Sequence, residues 1–125
     1  MSTKHLFENL TVWQKARSLT KSIYQATRQG AWSRDFGLSG QIQRASVSVM
    51  SNIAEGNARG STKEYIQFLR TARGSLAEVQ SQLYVALDIG YLSQNEFDAL
   101  QDAAAETARM LAGLITSLEQ RNPNP

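Results

Sequence analysis

The residues best equipped for chemistry gather between positions 51 and 76. Asn52 and Glu55 supply an amide and a carboxylate there, and Arg70 and Arg73 supply two guanidinium groups, within segments whose other positions are core-forming. Such a set could hold an anion or move a proton, but catalysis asks for more, a nucleophile with a base in reach or a metal with its ligands. The sole histidine, His5, lies in an N-terminal arm, and the serines have no visible base. Without cysteine, the chain has no disulfide, no thiolate chemistry and no cysteine-ligated zinc. The Glu-x-x-His pairs of di-iron bundles and a glycine loop ahead of a lysine are both missing. Asp98, Asp102 and Glu106 share a face of the fourth helical segment. Three carboxylates without a histidine read as a solvated face rather than a metal site. The expectation is a non-enzyme with no catalytic, cofactor-binding or metal residue.

A different role suits the 51–76 set. Asn52 falls beside the core seam, where an unpaired amide would cost roughly 1–3 kcal/mol. Glu55 falls on an edge, and Arg73 on a flank shared with Ile66, Arg70 and Tyr84. These six residues are expected to lock the bundle or one subunit against the next, with Arg73 paired to Glu55 or Glu78. Gly74, inside a helix at a cost of about 1 kcal/mol relative to Ala, points to a close backbone approach.

Arg17, Lys21, Tyr24 and Arg28 recur at i, i+4, i+7 and i+11, one continuous helical stripe. Cations around an aromatic could bind phosphates and stack a base; a solvated helix face is the alternative. Arg59 and Lys63, near a helix break, add to this candidate surface. Charge is unevenly spread, +7 over residues 1–74 and −5 over residues 75–125. A basic half favours RNA, DNA or an acidic protein, unless the halves neutralise one another within the fold or between subunits.

The elements that must position these groups follow from apolar periodicity. At 125 residues the chain is one domain with room for a working core. No apolar run is long enough to span a bilayer and no signal-peptide core is visible, so no membrane association and a cytoplasmic location are expected. Residues 1–9 form an arm, residues 10–120 a bundle with helices at about 11–28, 37–58, 62–89 and 94–119, and residues 121–125 a disordered tail. Thr11 with Gln14, Ser61 with Glu64, and Ser93 with Glu96 read as capping boxes. Gly30 and Gly90 close the first and third helices, and Gly56 to Gly60 loosen the chain between the second and third. Trp32 and Phe36 are expected to tuck onto the bundle end. Residues 83–89 are apolar nearly all round, a surplus that suggests a subunit interface. Phe97, Leu100, Ala104, Thr107, Leu111, Leu114 and Leu118 form a narrow seam. The fold class is all-α, an antiparallel up-and-down four-helix bundle.

Several strings carry a resemblance: Leu10-Thr11-Val12-Trp13-Gln14-Lys15-Ala16, Ser51-Asn52-Ile53-Ala54-Glu55-Gly56, and Ala72-Arg73-Gly74-Ser75-Leu76-Ala77-Glu78. With Gly37-Leu38, Gln41-Ile42, Arg44-Ala45, Glu64, Phe68-Leu69, Asp88 and Gly90-Tyr91-Leu92, they span residues 10–118. The chain resembles the ribosomal RNA intervening-sequence proteins, also called the S23 ribosomal protein family. It departs from the family pattern at Met50, where proline is usual, so a kink expected there is lost. The resemblance implies a four-helix bundle that associates as a ring-like homopentamer, with no assigned activity for most members. It also implies kinship with an accessory protein of diversity-generating retroelements, which contacts reverse transcriptase and nucleic acid through a basic surface. Two readings stay open: a homo-oligomeric nucleic-acid-binding module, and an interaction scaffold that docks an acidic partner or a polymerase.

Overall fold

The computed structural model describes residues 6–121; His5 and the other residues of positions 1–5, and the tail at 122–125, lie outside them. Four helices, α1 (Thr11–Thr27), α2 (Phe36–Ala58), α3 (Thr62–Asp88) and α4 (Gln94–Arg121), run up and down, each packed against the next, with α4 returning to α1. Short 3-10 turns at Phe7–Asn9 and Gly30–Arg34 precede α1 and α2. The fold is therefore an all-α four-helix bundle.

Local chemistry sets most helix ends. Ser61 accepts from the Glu64 amide at 3.1 Å. Ser93 and Glu96 exchange bonds, the Glu96 amide to Ser93 Oγ at 3.2 Å and the Ser93 amide to Glu96 Oε1 at 2.8 Å. Leu92 and Phe97, flanking that box, are both buried, as a hydrophobic staple requires. Gly90 takes φ +86, and the amides of Tyr91 and Leu92 turn back to the Ala86 carbonyl, a glycine-closed helix end. The first box fails. Leu10, not Thr11, occupies the cap of α1 and brings no side-chain bond, because the chain leaves the turn at Phe7–Asn9 already extended at Leu10. Gln14 donates to the Glu8 carbonyl instead, at 2.8 Å.

The core is one cluster. α1 contributes Ala16, Leu19 and Ile23, α2 Ile42, Val49 and Ile53, α3 Leu69, Leu76 and Leu83, and α4 Ala104, Leu111 and Leu118, all buried. Ile115 takes the buried place expected of Leu114, which is half-buried, so the seam steps by four there rather than three. In α3, Ala86 is buried while Leu87 is half-buried. Trp32 is buried and stacks on Tyr91 at 5.7 Å between centroids. Phe36 departs from expectation and stands 80% exposed. α2 passes through Met50 and Gly56 without a break.

Close approach of helices occurs at Gly56, not Gly74. A Cβ at Gly56 would lie 2.8 Å from Phe68 Cβ and 3.3 Å from the Tyr65 carbonyl oxygen. Gly74 is exposed, with nothing within 4 Å of that position. Gly56→Ala should therefore lower unfolding stability by about 1–3 kcal/mol through overpacking. Gly74→Ala should raise it by about 0.5–1 kcal/mol, the helix-propensity difference. Urea titration of both variants checks the pair, and a destabilised Gly74→Ala would show that its face is covered.

Candidate nucleic-acid interface

α1 and α2 form a layer whose register is fixed by side-chain bonds. Thr20 Oγ1 donates to the Ser46 carbonyl at 3.1 Å, and Gln43 Nε2 donates to Thr27 Oγ1 at 2.9 Å. Arg17, Lys21 and Arg28 are exposed on α1, and Tyr24 between them is half-buried. The stripe from Arg17 to Arg28 covers twelve residues, about 16 Å of helix. Two of its cations rest on aromatic faces, Arg17 5.7 Å from the Trp13 ring and Arg28 5.5 Å from Tyr24. Such contacts are worth about 0.5–1 kcal/mol at exposed sites, enough to bias where the guanidinium groups stand. A base stacking at Tyr24 would meet Arg28 on the ring. Arg59 lies 4.8 Å from the Phe68 ring, and Lys63 is exposed. Both sit where α2 ends and α3 begins, at the opposite end of the bundle from Arg28, and do not extend the stripe.

Arg34, in the turn before α2, adds an exposed cation at the Arg28 end that periodicity overlooks because it belongs to no long helix. A count would have found it: residues 10–58, the α1–α2 layer, carry six lysines and arginines against two carboxylates, Asp35 and Glu55. Residues 62–121, the α3–α4 layer, carry five against eight. The bundle is thus charged by layer. Among the described residues the ion pairs are Lys15–Glu106 at 3.1 Å and Arg70–Glu119 at 2.6 Å. Both join the basic part of the sequence to the acidic part, and both leave Arg17, Lys21, Arg28 and Arg34 unneutralised.

The 51–76 set does not converge. Asn52 Nδ2 donates to the Ser48 carbonyl at 2.8 Å and to Ser48 Oγ at 3.1 Å, and Ser48 Oγ meets Ser75 Oγ at 2.8 Å. The amide is satisfied within its own helix and reaches α3 through two hydroxyls. Glu55 is exposed. Arg70 pairs with Glu119 of α4, not with Glu55 or Glu78. Arg73 is exposed and has no ion-pair partner among the described residues, so the expected pairing with Glu55 or Glu78 is not made within the subunit. Glu78 lines a cleft of about 360 Å³ with Arg44, Ser48 and Ser75 on the α2 side of α3. Arg70 instead reaches α4, and Arg73, three residues on from Arg70, shares its side of the helix. Ile66 is half-buried, and Tyr84, 56% exposed, meets Phe97 edge-on at 4.9 Å. Val85 and Ile89 are also exposed on the α3 end. No helix among the described residues is long and apolar enough to cross a membrane.

The sequence pattern of the 23S rRNA-intervening sequence proteins matches residues 8–113. The chain belongs to this family. No curated protein matches it. Among solved structures, it is similar to a protein of unknown function from the S23 ribosomal protein family of Bacteroides thetaiotaomicron, with a TM-score of 0.77 and 21% identity. The match covers 84% of this chain and 98% of that one, and at this identity it speaks for the shared fold.

A polar clasp holds the Arg34 end. The Leu38 amide donates to Asp35 Oδ1 at 3.1 Å and the Tyr91 hydroxyl to Asp35 Oδ2 at 2.8 Å. The backbone bond first, then the hydroxyl, hold the Asp35 carboxyl below its usual range, and the same bond pushes the Tyr91 hydroxyl up. The Ser93 amide, then its hydroxyl, likewise depress Glu96. A depressed carboxyl stabilises the fold above its unfolded pKa, about 4, and that contribution disappears as pH falls through the folded value. Melting temperature should therefore fall between about pH 5 and pH 2, and Asp35→Asn should flatten part of that fall. Circular dichroism melts across this range check it; an equal acid slope in the variant would remove Asp35 as a contributor.

Proposed function

We propose that this protein is a non-enzymatic, homo-oligomeric module that binds RNA or DNA through the outer face of the α1–α2 layer. The observation that carries the reading is the set of three exposed cations there, Arg17, Lys21 and Arg28, with Arg34 at the adjoining bundle end near Tyr91, none in an ion pair among the described residues. A phosphate backbone is the polyanion such a face suits, because each neutralised phosphate releases counterions. One stripe of this length gives few contacts. A ring of copies, a pentamer on the family resemblance, would multiply them, so that weak sites act together. The family name refers to the intervening sequence of 23S rRNA, which is compatible with RNA as the ligand.

A salt-titrated gel shift on mixed-sequence RNA and DNA tests the reading. Affinity should fall as salt rises from about 50 to about 200 mM, and Lys21→Gln should reduce the slope of log K against log salt by about one contact per subunit engaged. Binding that is insensitive to salt would contradict it.

A second reading is favoured by a different observation, the exposed Tyr84, Val85 and Ile89 on α3. An apolar end of this kind suits a protein contact, either between copies or as a scaffold for an acidic partner or polymerase. The unpaired Arg73 lies on the same helix. Arg73→Glu should lower the mass measured by light scattering while leaving the monomer folded, if that face joins copies. An oligomer of unchanged mass would remove Arg73 from the interface.

A further inference from the structure

We propose that Phe36 is a stacking platform for an unpaired base, so that the ligand of the α1–α2 face is single-stranded nucleic acid; this rests on the nucleic-acid reading above. Phe36 is the exception among the aromatic residues described. Phe7 and Trp13, Trp32 and Tyr91, and Tyr84 and Phe97 pair ring to ring. Tyr24 and Phe68 each carry an arginine, and the Tyr65 hydroxyl receives the Asn57 amide. Phe36 has neither a ring nor a cation against it and is 80% exposed, more than any other large hydrophobic side chain described.

Nothing in the fold requires a phenylalanine there. The start of α2 is fixed by Asp35, which caps the helix and is clasped by Tyr91, and the core is closed beneath by Trp32. The position relative to the cations is informative. Phe36 precedes Gln43 by two helical turns and so shares its face. Gln43 bonds Thr27 across to α1, and Arg28 follows directly. The ring thus belongs to the α1 edge of α2, at the end that carries Arg28 and Arg34. Of the carboxylates at this end, Asp35 is held by the Leu38 amide and Tyr91, Asp88 closes α3, and Glu96 and Asp98 open α4. Glu96 accepts from the Ser93 amide, beside Gln25 of α1 and Gln29, and Asp98 accepts from Gln94. All but Asp35 belong to the other layer, away from the α2 edge that carries the ring.

An uncovered aromatic beside free guanidinium groups is what a single strand uses: phosphates follow the cations and a splayed base takes the ring. A duplex keeps its bases stacked on one another and would offer the ring only sugar and phosphate. A second copy is the competing occupant. Like-face pairing is electrostatically unfavourable because both faces are basic, and a head-to-tail contact with another copy's acidic layer is separated by the light-scattering mass.

The test is fluorescence anisotropy at fixed salt with labelled oligo-uridylate of about 12 nucleotides and an RNA duplex of the same length. Wild type, Phe36→Ala, Phe36→Trp and Arg28→Gln are compared. Phe36→Ala should weaken single-strand binding about fivefold or more, the least that a lost base stack implies, and leave duplex binding unchanged. Phe36→Trp should retain binding. Unchanged single-strand affinity in Phe36→Ala, or an equal loss on both ligands, overturns the stacking role; if Arg28→Gln still weakens binding, the basic-face reading stands. A wild type that binds neither oligonucleotide overturns both. A lower light-scattering mass for Phe36→Ala, at unchanged melting temperature, makes the ring a contact between copies and also overturns the proposal.

Discussion

The close packing of α2 on α3 is the constraint from which the other features follow. At Gly56 the two helices leave no space for a Cβ before Phe68, and further along Ser48 meets Ser75 and Gln82 meets Gln41 across the same seam. The serines and the Asn52 amide caught in this seam satisfy one another or bond nearby backbone. Asn52 does so through Ser48, and Thr20 reaches the Ser46 carbonyl on the other side of α2. An orphaned donor in such a seam would cost as much as one or two of these bonds contribute. The string Ser51-Asn52-Ile53-Ala54-Glu55-Gly56 is therefore a packing signature: an apolar anchor, an amide that bonds backward, and a glycine that admits the next helix.

α2 holds two charged residues, Arg44 and Glu55, in its full length, and its other exposed positions are polar or apolar. The charge of the α1–α2 layer is then set by α1 and the turn before α2. The carboxylates collect on α3 and α4, where Lys15 and Arg70 each find one. The basic half of the sequence is neutralised only at its edges.

How much of this was legible in the sequence depended on the range of the interaction. Caps are short-range, so Ser61 and Ser93 were readable from three residues of context, and Gly90 from its place after an apolar run. Thr11 misled because the preceding turn, held by Phe7 on Trp13, brings the chain in one residue early. The choice between Gly56 and Gly74 could not be made locally: both sit in helices, and only the partner helix says which one needs the space. Arg73 was expected to pair because it flanks the core seam. Its rotational position places it outside the seam, and a small error in the assumed helix phase is enough to reverse that reading. The α1 stripe was visible by spacing, yet the surface around it, with Arg34 and Phe36, depended on a turn that periodicity does not describe.

The two unsatisfied surfaces differ in a way that limits what each could hold. The α1–α2 face presents cations held by aromatic contacts and one bare ring; the α3 end presents Tyr84, Val85 and Ile89 with few charges. Removing apolar side chains from water is favourable at about 25 cal/mol per Å², whereas burying a guanidinium against protein costs unless an acceptor awaits it. A protein contact is therefore best made on α3 and a hydrated polyanion contact on α1–α2. The two can be occupied together, since they lie on different layers of the bundle. Assembly through α3 would then leave every copy's cations open, which is the arrangement in which repeating a weak phosphate site gains the most.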